Sequence, residues 1–188
     1  QGNYQLAFAE EGDKPDEGPV PLPPDAQDQE NPYGFIGRDA ELLKLERAMR
    51  KDTPAILITG LGGVGKTTLA RGLLKWLSRT EGMVGCVWFG FQEIRSAEYV
   101  INGLGSSFFG PDFLTAPMEQ RLEVLAKVLK ENRLVIVWDN FEVVAGIAGA
   151  NVQATLPVED RQLLHAFLKK LRGGQSKVII TSRGDEDW

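Results

Sequence analysis

Four apolar residues and a threonine run directly into a glycine-rich turn: Ala55-Ile56-Leu57-Ile58-Thr59 is followed by Gly60-Leu61-Gly62-Gly63-Val64-Gly65-Lys66-Thr67. An apolar run of that length, bounded by Pro54 and glycines, reads as a buried strand. Leu69, Leu73 and Trp76 then recur at helical spacing. Strand, turn and amphipathic helix in this order form the first half of a βαβ unit, which favours a parallel sheet with helices packed on it.

The rest of the chain continues the alternation. Asp39 can cap a helix carrying Leu42, Leu45 and Met49 on one face, with Leu43 beside them. Val84 to Phe91 reads as a second strand, Leu134 to Trp138 as a third and Lys177 to Thr181 as a fourth. Between them, Ser96 to Phe108 is a helix interrupted by Gly103 and Gly105, and Pro117 opens a helix bearing Leu122, Leu125 and Leu129. Leu163, Phe167 and Leu171 mark a last helix closed by Gly173-Gly174. Continuously apolar strands are covered on both faces, so the expected fold class is α/β, a three-layer sandwich with a mostly parallel sheet. Folds of this class carry at least one more strand, so the core at residues 32–188 is expected to be incomplete after the fourth. The first residue is not Met, and a fragment of a longer chain is expected.

The turn has a chemical reading. Gly60 to Thr67 fits G-x-x-x-x-G-K-[ST] throughout. Its glycines let successive N–H groups turn inward around an anion, and the following helix adds its positive end. Lys66 would reach the β- and γ-phosphates of a nucleotide, the Thr67 hydroxyl would ligate Mg²⁺, and Thr68 would contact the α-phosphate. Glycine turns also simply join strands to helices; the strand before and helix after are the context phosphate binding needs.

Two strand ends add to this. Leu134-Val135-Ile136-Val137-Trp138-Asp139 delivers a carboxylate to the edge of the sheet where the phosphates would lie, and there Asp139 can hold the metal through water. A strand-end Asp can also only cap its turn. Arg183, in Thr181-Ser182-Arg183, can approach a γ-phosphate and report its presence, or be an exposed arginine at a loop start. The D-x-x-G and N-K-x-D patterns of guanine-nucleotide enzymes are missing: Asp139-Asn140-Phe141-Glu142 stands in the first place. Adenine nucleotides are favoured.

Composition excludes much else. Cys86 is the single cysteine and His165 the single histidine of 188 residues, so internal disulfides and zinc sites built on several His or Cys are out. A single cysteine suits a reducing compartment, no apolar run reaches the ~18 residues of a membrane span, and a cytoplasmic location is expected. The net charge is −5, and residues 1–34 alone carry −7. An acidic chain without Lys/Arg-rich stretches is not expected to bind nucleic acid directly. Six of the ten prolines also fall before residue 35. Residues 1–31 therefore read as an acidic Pro-rich linker, with Tyr4 to Ala9 the tail of an upstream domain, or as a disordered terminus.

The combination resembles the STAND class of P-loop ATPases, the signal-transduction relatives that include NB-ARC and NACHT proteins, and looks most like bacterial members. The resemblance is carried by Phe35-Ile36-Gly37-Arg38-Asp39-Ala40-Glu41-Leu42, by Gly60–Thr68, by Val137-Trp138-Asp139-Asn140 and by Thr181–Arg183. It implies a P-loop NTPase core of the ASCE, AAA-like type that binds ATP or ADP with Mg²⁺. It places Ile36 and Arg38 against the adenine, Gly62, Gly63, Val64, Gly65, Lys66, Thr67 and Thr68 around the phosphates, Thr67 and Asp139 at the metal, and Arg183 as sensor. It further implies an upstream effector domain, downstream winged-helix and repeat sensor domains, and a homo-oligomer when ATP is bound. Phe35 and Ile36 can equally staple the first helix.

One departure bears on rate. Many hydrolytic relatives carry an acid directly after the strand-end Asp. Here that residue is Asn140, an amide that can orient water but cannot take its proton. Glu142 is the nearest carboxylate and the remaining candidate for that catalytic role, or only a loop acid. Slow ATP hydrolysis serving a nucleotide-controlled switch is the expectation; the alternative is an AAA-like remodelling or nucleic-acid-handling ATPase with rapid turnover. A small-molecule kinase lacks its cluster of lid arginines, and the intact Lys66, Thr67 and Asp139 speak against a non-hydrolysing scaffold. Val143 to Val158, with Gly146 and Gly149, has no clear period and reads as a mobile connector or a poorly ordered one.

Overall fold

The computed structural model describes residues 7–8, 20–27, 37–146 and 154–185. Five strands form one sheet in the order β1-β3-β4-β5-β2. They are β1 (Ala7–Phe8), β2 (Ala55–Thr59), β3 (Gly85–Gly90), β4 (Leu134–Asp139) and β5 (Lys177–Ser182). β2 to β5 are parallel, and β1 pairs antiparallel to β3 through Ala7–Cys86 and Phe8–Gly85. The helices are α1 (Asp39–Met49), α2 (Lys66–Arg79), α3 (Ala97–Phe109), α4 (Met118–Glu131), α5 (Glu142–Ala145) and α6 (Val158–Lys170).

Alternation along the strands sorts the core into two layers. Ile56, Ile58, Cys86, Trp88, Val135, Val137 and Ile179 face Leu69, Ala70, Leu73, Leu74 and Leu77 of α2, with α1 packed alongside. The opposite residues, among them Val87, Phe89, Ile136, Trp138, Val178 and Ile180, meet the buried faces of α3, α4 and α6. Each strand of the sheet's interior is thus apolar on both sides, the reason the sequence shows runs instead of alternation. Trp138 lies in this core, stacked on Phe141 at 5.4 Å and edge-on to Phe91 at 5.7 Å.

Several local expectations shift. Asp39 is the first helical residue of α1 and Arg38 takes the cap position, without a side-chain cap bond. Asp39 therefore acts through its charge at the helix's positive end. Pro117 precedes α4, and its carbonyl opens the helix by accepting from Arg121 N at 3.0 Å. α3 runs unbroken through Gly103 and Gly105, capped by the Ser96 hydroxyl accepting from Tyr99 N. A Cβ at Gly105 would stand 1.9 Å from Phe113 of the adjoining 3-10 turn, so the glycine serves a close approach.

Part of the segment expected to be solvated lies on the core. Val20 and Leu22 pack beside α2 and Ala26 is buried. Ser78 Oγ donates to Val20 O at 2.6 Å and Arg71 Nε to Asp25 O at 2.8 Å. Three apolar residues spaced along an extended strip are enough to seat it, whatever the acidic composition around them. Residues 1–6, 9–19 and 28–36, and residues 147–153 of the Val143–Val158 connector, fall outside the described residues; within the connector, Thr155 N donates to Val143 O at 2.8 Å.

Register puts the chemistry at one edge. Thr59 pairs with Ser182 and Gly90 with Asp139, so β2, β4 and β5 all end where the glycine turn begins.

Candidate functional site

The turn between β2 and α2 is held open by its backbone. Gly63 and Gly65 have φ of +78° and +83°, a left-handed conformation that glycine adopts without steric cost. Gly65 caps α2, its carbonyl accepting from Leu69 N at 2.8 Å. Arg38 supports the turn: its Nη1 donates to Gly65 O at 2.9 Å and Val64 O at 3.2 Å, while Nε pairs with Glu41 at 3.3 Å. A Cβ at Gly65 would come within 2.9 Å of that Arg38 nitrogen, which would have to shift, so the positive φ is the stronger reason for glycine there. Lys66 Nζ curls back over the turn, donating to Gly60 O at 2.6 Å and Leu61 O at 3.1 Å.

Asp139 is 5% exposed at the end of β4. Its Oδ1 accepts from Thr67 Oγ1 at 2.9 Å and from Thr181 Oγ1 at 2.5 Å. Its Oδ2 accepts from Thr67 Oγ1 at 3.2 Å and from Asn140 Nδ2 at 3.3 Å. The Thr181 oxygen in turn accepts from Asn140 N at 3.0 Å. A buried carboxylate is costly unless such donors surround it. Asn140 sits at φ +58°, a conformation asparagine tolerates better than most residues, and its amide is turned onto Asp139.

That sharp turn brings Glu142 into the site at the start of α5. Glu142 is 5% exposed, and its Oε1 accepts from Arg183 Nε at 2.9 Å. Its Oε2 is buried without a hydrogen-bond partner among the described residues. Arg183 is half exposed, and its guanidinium carbon lies 3.7 Å from where a Gly62 Cβ would stand. The arginine thus bridges the carboxylate and the glycine turn.

Residues 34–180 match the family model described as an AAA ATPase domain. The chain belongs to that family. This AAA ATPase domain has the fold of the solved ORC2 protein of Aeropyrum pernix in its ADPNP–ADP complexes, at 15% identity and a TM-score of 0.62 over 85% of this chain and 44% of that one. Similar likenesses hold to Drosophila ORC bound to DNA (12% identity, TM-score 0.58, 87% and 42%) and to Cdc6p from Pyrobaculum aerophilum (17%, 0.54, 86% and 42%). The AAA domain spans less than half the length of each of these chains. No curated protein matches the sequence.

The family's nucleotide-binding P-loop fold is therefore established, and the residues suit the ligand. Gly62, Gly63 and Val64 are exposed in the turn and Gly65 is half-buried, Lys66 and Thr67 stand at its helical end, and Thr68 is exposed beside them. Hydroxyl and carboxylate oxygens are the hard donors that Mg²⁺ takes. Among the described residues no three His, Cys, Asp or Glu side chains converge on a metal site. Thr67 and Asp139 would thus hold the ion only together with phosphates and water, the usual arrangement on nucleotide substrates. Ile36, expected against the adenine, lies outside the described residues. His165 is on α6. Sequence reasoning gave Thr181 no role of its own, and nothing in a strand threonine marks a hydroxyl that binds the site's carboxylate. No described helix is long and apolar enough to cross a membrane.

Proposed function

We propose that this AAA ATPase domain is the ATP/ADP-binding regulatory module of a signal-transduction ATPase of the STAND type, with slow Mg²⁺-dependent hydrolysis timing a conformational switch. The observation that carries this reading is the state of the acids beside Asp139. Asn140 cannot accept a proton and is bound to Asp139, and Glu142 is tied to Arg183. The anion cradle and the metal ligands suit tight nucleotide binding, while Glu142, the acid next along the chain, is held through Oε1 by Arg183.

In this reading Gly62 to Thr68 bind the phosphates, Lys66 neutralises charge developing on the transferred group, and Thr67 and Asp139 hold Mg²⁺, which draws electron density from the phosphoryl oxygens. Arg38 stiffens the turn and, with Ile36, flanks the adenine. Arg183 senses the γ-phosphate, and Glu142 is the carboxylate nearest to the water. ADP favours a closed state and ATP an open one that self-associates, a population shift driven by contacts to the γ-phosphate. An upstream effector and downstream winged-helix and repeat sensor domains are the partners, in the cytoplasm, with no direct contact to nucleic acid.

Calorimetric titration with Mg-ATP, ADP and GTP, combined with steady-state turnover, tests it. Adenine-selective binding lost in Lys66→Ala, a selective loss of the Mg²⁺-dependent part in Asp139→Ala, and turnover well below ~1 s⁻¹ are expected. Turnover of tens per second would favour a remodelling or nucleic-acid-handling ATPase instead. Binding of Mg-ATP by both variants at the parent's affinity would remove the site assignment.

A further inference from the structure

The Arg183–Glu142 contact has two properties that a stabilising ion pair does not need. Glu142 is 5% exposed, yet only one of its oxygens is satisfied: Oε1 by Arg183 Nε at 2.9 Å, with Oε2 left bare among the described residues. A buried carboxylate normally fills both oxygens, and an orphan acceptor carries a desolvation cost that needs an explanation. The cation is the mobile half. Arg183 is half exposed, has no other polar partner among the described residues, and rests against Gly62 of the phosphate turn. Its planar fork presents further N–H donors that suit phosphate oxygens.

We propose that this pair is exchangeable: a γ-phosphate in the turn takes Arg183 from Glu142, and the released carboxylate becomes the acceptor for the attacking water. The exchange rests on the nucleotide-site reading given above and adds a control to it. With ADP, or with no nucleotide, Arg183 stays on Oε1 and Glu142 is engaged. With ATP, the guanidinium moves to the terminal phosphate. Both Glu142 oxygens are then open to the water, since Oε2 has no donor to displace among the described residues. The water oxygen forms its bond to the γ-phosphorus as the bond from that phosphorus to the bridging oxygen breaks. ADP leaves with the bond's electron pair, and the water's proton passes to Glu142 and from there to the phosphate product. One arginine therefore reads the γ-phosphate and unmasks the carboxylate in a single movement, which couples sensing to hydrolysis. It also limits the rate, because the chemistry waits for an ion pair to open.

The exchange has a signature in binding that needs no turnover. Glu142→Gln keeps the shape and removes the charge that competes for Arg183. A Mg²⁺-bound non-hydrolysable ATP analogue should then bind about tenfold more tightly, the lower end of what a hydrogen bond to a charged group contributes, while the ADP affinity stays within about twofold. ATP turnover of the same variant should fall despite the tighter binding. Arg183→Gln should abolish the preference for the analogue over ADP. The double variant Glu142→Gln/Arg183→Gln removes the charge stranded by the single arginine change; it should melt above Arg183→Gln and still show no analogue preference. Equal shifts for analogue and ADP in Glu142→Gln, or a preference that survives in Arg183→Gln, would overturn the exchange. Lys66→Ala, titrated in parallel, separates the two levels. If it binds both nucleotides like the parent, the site reading fails; if it loses both while Glu142→Gln changes nothing, only the exchange fails.

Discussion

Thr181→Val isolates the hydroxyl that fixes Asp139. The two side chains have nearly the same shape, so no cavity forms and the change is chemical. Thr181 is 1% exposed, donates to Asp139 Oδ1 at 2.5 Å and accepts from Asn140 N at 3.0 Å. A hydrogen bond to a charged group contributes ~1.5–3 kcal/mol, and a buried N–H left without a partner costs ~1–3 kcal/mol. Part of this returns through burial of the added methyl, so a net loss of about 3 kcal/mol is expected. For a domain of this size each kcal/mol moves Tm by ~2–4 °C, which puts the melt about 6–12 °C lower. Urea and thermal unfolding followed by circular dichroism would measure it, with Thr181→Ser as the comparison, since serine keeps both bonds. The valine variant should also bind Mg-ATP more weakly than the parent, because the carboxylate loses its fixed direction. A valine variant within ~0.5 kcal/mol of the parent, or a serine variant as damaged as valine, would refute this account of the Asp139 cluster.

Gly105→Ala sets helix propensity against packing. Alanine is worth ~1 kcal/mol more than glycine inside a helix, but the new Cβ would stand 1.9 Å and 2.1 Å from two ring carbons of Phe113. Overpacking of ~1–3 kcal/mol should win, giving a lower urea midpoint, and Gly105→Ala/Phe113→Ala should be less unstable than the sum of the single variants. Cys86 is buried, and burial pushes its thiol from 9.0 up to about 12. Native protein at pH 8.5 should resist alkylation, while protein in denaturant should react fully. Because the folded value is the higher one, the stabilisation linked to this thiol is complete below pH 9 and is lost as pH rises toward about 12, a slope that Cys86→Ala should remove.

The sheet was readable because its strands are runs of apolar residues, buried on both faces in β3, β4 and β5: Ala55–Thr59 has the expected bounds, and the other three differ by a residue or so at their ends. The glycine turn and the strand-end Asp139 could be placed for the same reason, since each follows an apolar run. What escaped was set by partners distant in sequence. The glycines of α3 looked like interruptions until Phe113 filled the space above Gly105. The acidic, proline-rich composition hid the strip Val20–Gln27, which needed only Val20, Leu22 and Ala26 to find α2. The bonds of Arg38 to the carbonyls of Val64 and Gly65 join residues 26 and 27 apart and had no signal in the sequence. The pairing of Glu142 with Arg183 joins residues 41 apart, and neither side chain announces the other.

The Asp139 cluster also bears on how the chain reaches its native state. Asp139 bonds to Thr67, 72 residues before it, and to Thr181, 42 residues after it. Contacts of that span form only after long loops have closed, which makes them late and entropically demanding events. A partly folded chain could build α2 and still present no metal-binding corner, because that corner needs β2, β4 and β5 already in register. Mg-nucleotide should therefore select the completed fold over every intermediate. Its stabilisation should grow with the logarithm of its concentration, so the cell's nucleotide pool would act on the lifetime of this domain as well as on its state.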